Sequence, residues 1–289
     1  VAAGDFVALK EVGLLYLEMA RDRAEVIPAA REALEAAGEI RANDPDVLLP
    51  LGQIYRSVGE LEAAVEAFRG ATGRQAGSSW GHALLSRTLV ELAQVRNREG
   101  KGAEEESLLR EAVEADPGNA EALIALSERL SRRGDHAGAV DLLDRVPPEN
   151  MGPEVWQRRI WELYLTGRLD DAAAALAKVP PSQAESVRTL EILLIAARGD
   201  AAGAADALAR LLDRDPSTVS LANSLVRALS THRRRAEAAS LADAFLARLS
   251  TRLGDEVVAA LRIERAELAV GLEQWPRVVE VLQPLIASG

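Results

Sequence analysis

Residues 45–68 read PDVLLPLGQIYRSVGELEAAVEAF, and their spacing decides the architecture. Leu48, Leu51, Gly52 and Tyr55 follow one another at helical steps, so they share one stripe of a helix. Gly59 then ends that helix, because glycine takes a left-handed backbone without steric cost. Ala64 and Phe68, one turn apart, form the stripe of a second helix. The small Gly52 and Ala64 let the two helices lie close together. A single hairpin of this kind cannot bury its own apolar surface, so copies have to stack.

Copies are present. Turn glycines fall at Gly59, Gly100, Gly134, Gly167 and Gly199, at intervals of 41, 34, 33 and 32 residues. In the first unit Leu9, Val12, Gly13 and Tyr16 carry the first helix, and a long partner helix runs from about Ala24 to Ile40 before Asn43, Asp44 and Pro45 stop it. The 41-residue step places extra residues in the third unit, where Trp80, Leu84, Leu85, Leu89 and Leu92 predict a long first helix. The fourth unit uses Leu123, Leu126, Ser127 and Leu130, then Ala139 and Leu143; the fifth uses Trp156, Ile160 and Leu163, then Ala172 and Leu176. Ile192, Ile195, Ala204 and Leu208 carry the sixth. The seventh keeps Leu225, Leu229, Ala238 and Ala242 but has Arg233 at the glycine position, and an eighth pair spans about Asp255 to Ile286. The expected units are 6–44, 45–78, 79–119, 120–152, 153–184, 185–218, 219–254 and 255–289, forming one repeat domain over 1–289. Prolines are expected between units, where a missing N–H costs little.

These residues resemble the tetratricopeptide repeat, whose pattern is W-x2-L-G-x2-Y, then A-x3-F, then P. The resemblance implies an all-α solenoid, a right-handed superhelix of helix-turn-helix units. A globular helical bundle is the alternative. Small residues at a fixed phase (Gly52, Ala64, Ala139, Ala172, Ala204) favour the solenoid, since an irregular bundle has no use for them.

Composition narrows function by exclusion. The 289 residues carry a net charge of −11, against the basic face that nucleic acid requires. No apolar run is long enough for a spanning helix, so no membrane insertion is expected. There is no cysteine, which removes disulfides, thiolate metal sites and cysteine nucleophiles. The localisation expected is a soluble one, cytoplasmic or periplasmic. The preference for arginine, with Lys10, Lys101 and Lys178 the only lysines, fits a GC-rich bacterial genome. Phosphate-binding glycine loops and a Gly-x-Ser-x-Gly elbow are missing. His82, His136 and His232 are scattered, and His136, beside Asp135, reads as a solvated turn residue. Asp170 and Asp171 open a helix, where they favour its dipole. No catalytic residue, metal or cofactor is implied.

In the family it resembles, the first helix of each pair lines a concave wall. On that basis the groove here carries Leu49, Gln53 and Arg56; Ile124, Glu128 and Ser131; Gln157, Trp161 and Tyr164; Thr189, Leu193 and Ala196; and Asn223, Arg227 and Ser230. Trp161 and Tyr164 read either as an exposed anchor for a bound segment or as core against a neighbouring helix. The lysine, asparagine and arginine clamp by which some family members hold a terminal carboxylate is not matched, since its places hold Leu49, Gln53, Ile124 and Glu128. Thr231 to Arg235 is the one basic run, readable as a solvated turn or as a contact for an acidic or phosphate-bearing partner; Arg132-Arg133 and Arg158-Arg159 read as solvated. The apolar last helix, with Val278, Val279, Val281, Leu282, Leu285 and Ile286, suits self-association or a continuing chain. The expected function is a non-catalytic scaffold for a protein or peptide partner. The alternative is the repeat region of a larger enzyme or of a secretion or polysaccharide-export assembly.

Overall fold

A computed structural model describes residues 3–20, 22–42, 44–73 and 79–287. Sixteen α-helices and no strand occur among the described residues. They are α1 (Ala3–Met19), α2 (Ile27–Ile40), α3 (Pro45–Ser57), α4 (Leu61–Thr72), α5 (Ser79–Arg98), α6 (Gly102–Ala115), α7 (Ala120–Arg132), α8 (His136–Leu143), α9 (Pro153–Leu165), α10 (Leu169–Leu176), α11 (Arg188–Ala197), α12 (Ala201–Arg214), α13 (Leu221–Thr231), α14 (Arg235–Leu253), α15 (Asp255–Gly271) and α16 (Trp275–Ala287). Short 3-10 turns precede α2, α9, α11 and α13. The long partner helix expected from Ala24 therefore begins as a 3-10 turn at Ala24–Val26 and becomes α-helical at Ile27. Asn43 lies outside the described residues.

The chain divides into two compact units, Val1–Gly134 and Asp135–Gly289. In the first, each helix from α1 to α7 packs on the next, and α1 also meets α3 as α5 meets α7. In the second, α8 to α12 do the same, then α14 packs on α12 and α13, and α15 on α13, α14 and α16. Within each unit burial therefore passes from one hairpin to the next, as in a stacked array.

Local chemistry explains the joints. A Cβ on Gly52 would come within 2.5 Å of the Phe68 ring, and one on Gly13 within 2.5 Å of Leu34, so both positions need glycine for close helix approach. The hairpin turns run through left-handed residues at Gly59, Gly100, Gly134, Gly167 and Gly199, and Arg233 adopts the same conformation at φ 63. Asp44, Asn119, Asp135 and Asp200 cap α3, α7, α8 and α12 by accepting main-chain N–H bonds.

One expectation is corrected, and the third unit departs from the small-residue pattern. Prolines are not confined to the joins: Pro50 lies inside α3 and Pro284 inside α16. Pro50 is tolerated because the carbonyl it orphans, four residues back, belongs to exposed Asp46, which water can reach. The small position of the third unit, matching Ala64, is taken by a buried carboxylate, Glu105, paired with Arg132 at 2.6 Å and Arg129 at 3.5 Å. That pair places Arg132 in an ion bridge, and Arg133 likewise binds Glu106 at 3.0 Å.

Candidate functional site

In the first unit the first helices leave open space between them. One cleft of about 490 Å³ has Leu14 and Leu17 of α1 on one side, Leu49 and Pro50 of α3 as floor, and Trp80 of α5 at its rim. Trp80 is 54% exposed, a large apolar ring facing solvent. Lys10 and Asp46 bridge the cleft edge with an ion pair at 3.3 Å. Gln53 borders this cleft and also a second one of about 580 Å³ with Arg56, Ser57, Leu84 and Glu91. Arg56 donates to both oxygens of Glu91, at 3.0 and 3.1 Å from Nε, and this pairing raises the guanidinium pKa. The result is an apolar trough with a polar end, suited to a segment that presents apolar side chains and main-chain amides.

The second unit fills the equivalent row. Trp161 stacks on Tyr164 with ring centroids 5.3 Å apart. His232, at the end of α13, stands edge-on to both, at 5.4 and 5.7 Å. Arg234 lies over the Tyr164 ring at 5.7 Å. Tyr164 is 2% exposed, so the reading of an open aromatic pair is corrected for that ring; Trp161 stays half-buried. The Tyr164 hydroxyl has no hydrogen-bond partner among the described residues, and burial pushes its pKa up. Burial first, and repulsion from His136 second, hold the His232 imidazole below its ordinary value.

His136 is not a solvated turn residue. It opens α8, is half-buried, and sets Nδ1 3.0 Å from a carboxylate oxygen of Glu162, whose side chain is fully buried. Arg158 reaches the other oxygen of Glu162 at 2.5 Å, and Arg159 pairs with Asp144 at 2.6 Å. Both arginines of that run are therefore paired. The i,i+4 spacing of Arg158 and Glu162 was the one legible signal; the distance from His136 is set by how α8 meets α9.

The remaining groove residues are dispersed. Gln157 is half-buried and donates to the Ser186 carbonyl at 2.5 Å. Leu193 is 3% exposed and belongs to the core, as does Ala196. Asn223 is half-buried, and Arg227 is exposed and reaches Glu264 at 3.5 Å. Glu128 and Thr189 are exposed. Sequence reasoning missed Lys10, Leu14, Leu17 and Trp80 as trough residues. Trp80 was visible as a large residue at a helix start, but only the packing of α1 and α5 beside α3 brings these side chains to one cleft.

Helix pairs joined by left-handed turns and stacked on their neighbours define an α-solenoid. Residues 98–160 match the tetratricopeptide repeat family, and the described residues on either side of that stretch are paired helices as well. Similar solved structures include "Crystal structure of MamA protein", at 15% identity over 64% of this chain and 93% of that one, with a TM-score of 0.43. A chain of "Structure of Naa15/Naa10 bound to HypK-THB" matches at 12% identity over 98% of this chain, with a TM-score of 0.50. This chain spans 37% of the length of that one. No curated protein matches the sequence. Among the described residues no helix is long and apolar enough to cross a membrane.

Proposed function

We propose that this chain is a non-catalytic scaffold that holds a protein or peptide segment in the trough of its first unit. The exposed Trp80 over the Leu14, Leu17 and Leu49 floor carries this reading. A free aromatic ring beside a preformed apolar cleft is a natural anchor point, and a cleft already shaped in the unbound chain limits the ordering cost of binding. Gln53 supplies an amide for the main chain of a bound segment. Arg56 and Glu91, satisfied by each other, set the polar end.

Selection of peptides from a displayed library against the full chain tests this. Selected peptides are expected to lose about tenfold or more in affinity on Trp80→Ala and to bind Trp161→Ala as they bind the parent. Selected peptides that ignore Trp80→Ala and Gln53→Ala in folded variants would place binding elsewhere and remove the trough reading.

A further inference from the structure

The corner where α13 turns into α14 gathers three consecutive arginines at the start of a helix. In α8 and α12 a carboxylate caps the positive end of the second helix: Asp135 accepts from Gly138 N–H at 2.9 Å, and Asp200 from Gly203 N–H at 2.8 Å, whereas α4, α6 and α10 have no side-chain cap. At α14 no side chain caps the helix, and Arg233, Arg234 and Arg235 gather at its N-terminus. Cations at that end oppose the helix dipole. Arg234 is internally engaged, with Glu237 at 3.6 Å and the Ala197 carbonyl at 3.4 Å. Arg233 and Arg235 are exposed, and neither guanidinium has a hydrogen bond or ion pair among the described residues. Most arginines of this acidic chain, by contrast, are paired.

Arg233 also takes the left-handed conformation that five other turns assign to glycine. A long charged side chain is thus kept where glycine is easier. Arg233 and Arg235 both line an open cavity of about 630 Å³, with Ser230, Gly271 and Leu272 beside them and one carboxylate, Glu237, which pairs with Arg234 at 3.6 Å. Two guanidinium groups without an ion pair line one space against a single, already paired carboxylate, which suits an anionic group. The cavity is of the size of ligand clefts, roughly 300–1,000 Å³, far larger than a single ion needs. The apolar floor at Leu272 adds a surface that an inorganic anion cannot use.

We propose that this corner binds an acidic segment of a partner protein, with Asp or Glu carboxylates on Arg233 and Arg235 and adjoining apolar side chains on Leu272. The proposal rests on the scaffold reading but uses a different surface from the trough. A net charge of −11 disfavours nucleic acid as the occupant.

Fluorescence anisotropy on the full chain tests it, with a labelled peptide of about ten residues alternating Glu and Leu, and a counterpart with Gln for Glu. The Glu peptide is expected to bind, more weakly as salt rises, and the Gln peptide not to bind. Arg233→Gly and Arg235→Gln should each weaken binding about five- to tenfold. Arg233→Gly relieves backbone strain, so its melting temperature should hold or rise while affinity falls, which separates loss of contact from loss of fold. Inorganic phosphate at equal ionic strength should compete no better than chloride; strong competition would make the corner a site for a free anion and overturn the proposal. Equal binding of both peptides, no binding of the Glu peptide, or unchanged affinity in both arginine variants would overturn it too. Loss on Trp80→Ala instead would sink the corner and leave the trough standing.

Discussion

The same row of first-helix positions is treated in opposite ways by the two units. In the first, Leu49, Gln53 and Arg56 border open clefts beneath Trp80. In the second, the matching Gln157, Trp161 and Tyr164 close the row: the glutamine amide is taken by the Ser186 carbonyl, and the two rings stack under His232. Both rows stand on helices of 13 residues, α3 and α9, and side-chain volume differs. The repeat fixes where a row of side chains stands, and the residues in it decide whether the row is a trough or a packed wall. Spare space in the first unit leaves open clefts, while the second unit fills the same positions with packed side chains.

The largest test of this contrast is Phe68→Ala. Phe68 is fully buried against Gly52, so the truncation should cost about 3–5 kcal/mol and collapse the frame of the trough. Urea unfolding followed by circular dichroism would read it, and a cost under about 1 kcal/mol would mean that the α3–α4 contact does not hold the first unit together. Next comes Glu162→Gln, which leaves Arg158 and His136 without their shared carboxylate. Because Arg158 keeps some solvent access, the loss should fall toward the low end of the roughly 3–5 kcal/mol seen for broken buried pairs. Protection in hydrogen exchange should drop in α8 and α9 and stay unchanged in α3 and α5; a uniform drop would show that the two regions do not respond separately.

Turn residues give smaller, signed effects. Gly59→Ala forces a Cβ into the left-handed region and should cost about 1–2 kcal/mol, whereas Arg233→Gly removes the same strain and should gain about 0.5–1 kcal/mol. Thermal melts that move both variants in one direction would contradict the shared turn geometry. The smallest effect concerns pH. The pKa of His232 is lowered in the folded chain, so below its ordinary value of about 6.5 the unfolded chain binds more protons. The contribution of neutral His232 is therefore full above that pH and fades as pH falls toward the folded value. Melting temperature measured from about pH 7.5 to 5.5 should fall further for the parent than for His232→Gln; parallel curves would show that the ring cluster does not sense the proton.

The two units also differ in how readable they were. The Leu-Gly-Tyr and Ala-Phe spacing of residues 48–68 announced α3, α4 and the turn at Gly59 between them, because close approach demands small side chains at fixed phase. Arg233 was legible as a missing glycine but not as a residue holding the glycine conformation, which surrounding helices impose on it. His136 and Glu162 lie in different hairpins, and no local pattern connects them. Trp80, Leu14 and Leu49 converge only when three first helices stand side by side.

Helical periodicity, small residues at close approaches and left-handed turn positions are local properties, so residue order was enough to indicate an all-helical solenoid of paired helices. Which side chains met across those pairs was a matter of packing. Burial of Tyr164, the carboxylate at Glu105 and the cleft under Trp80 each arise from contacts between residues far apart in the chain, and such contacts depend on the volumes and angles with which whole helices come together.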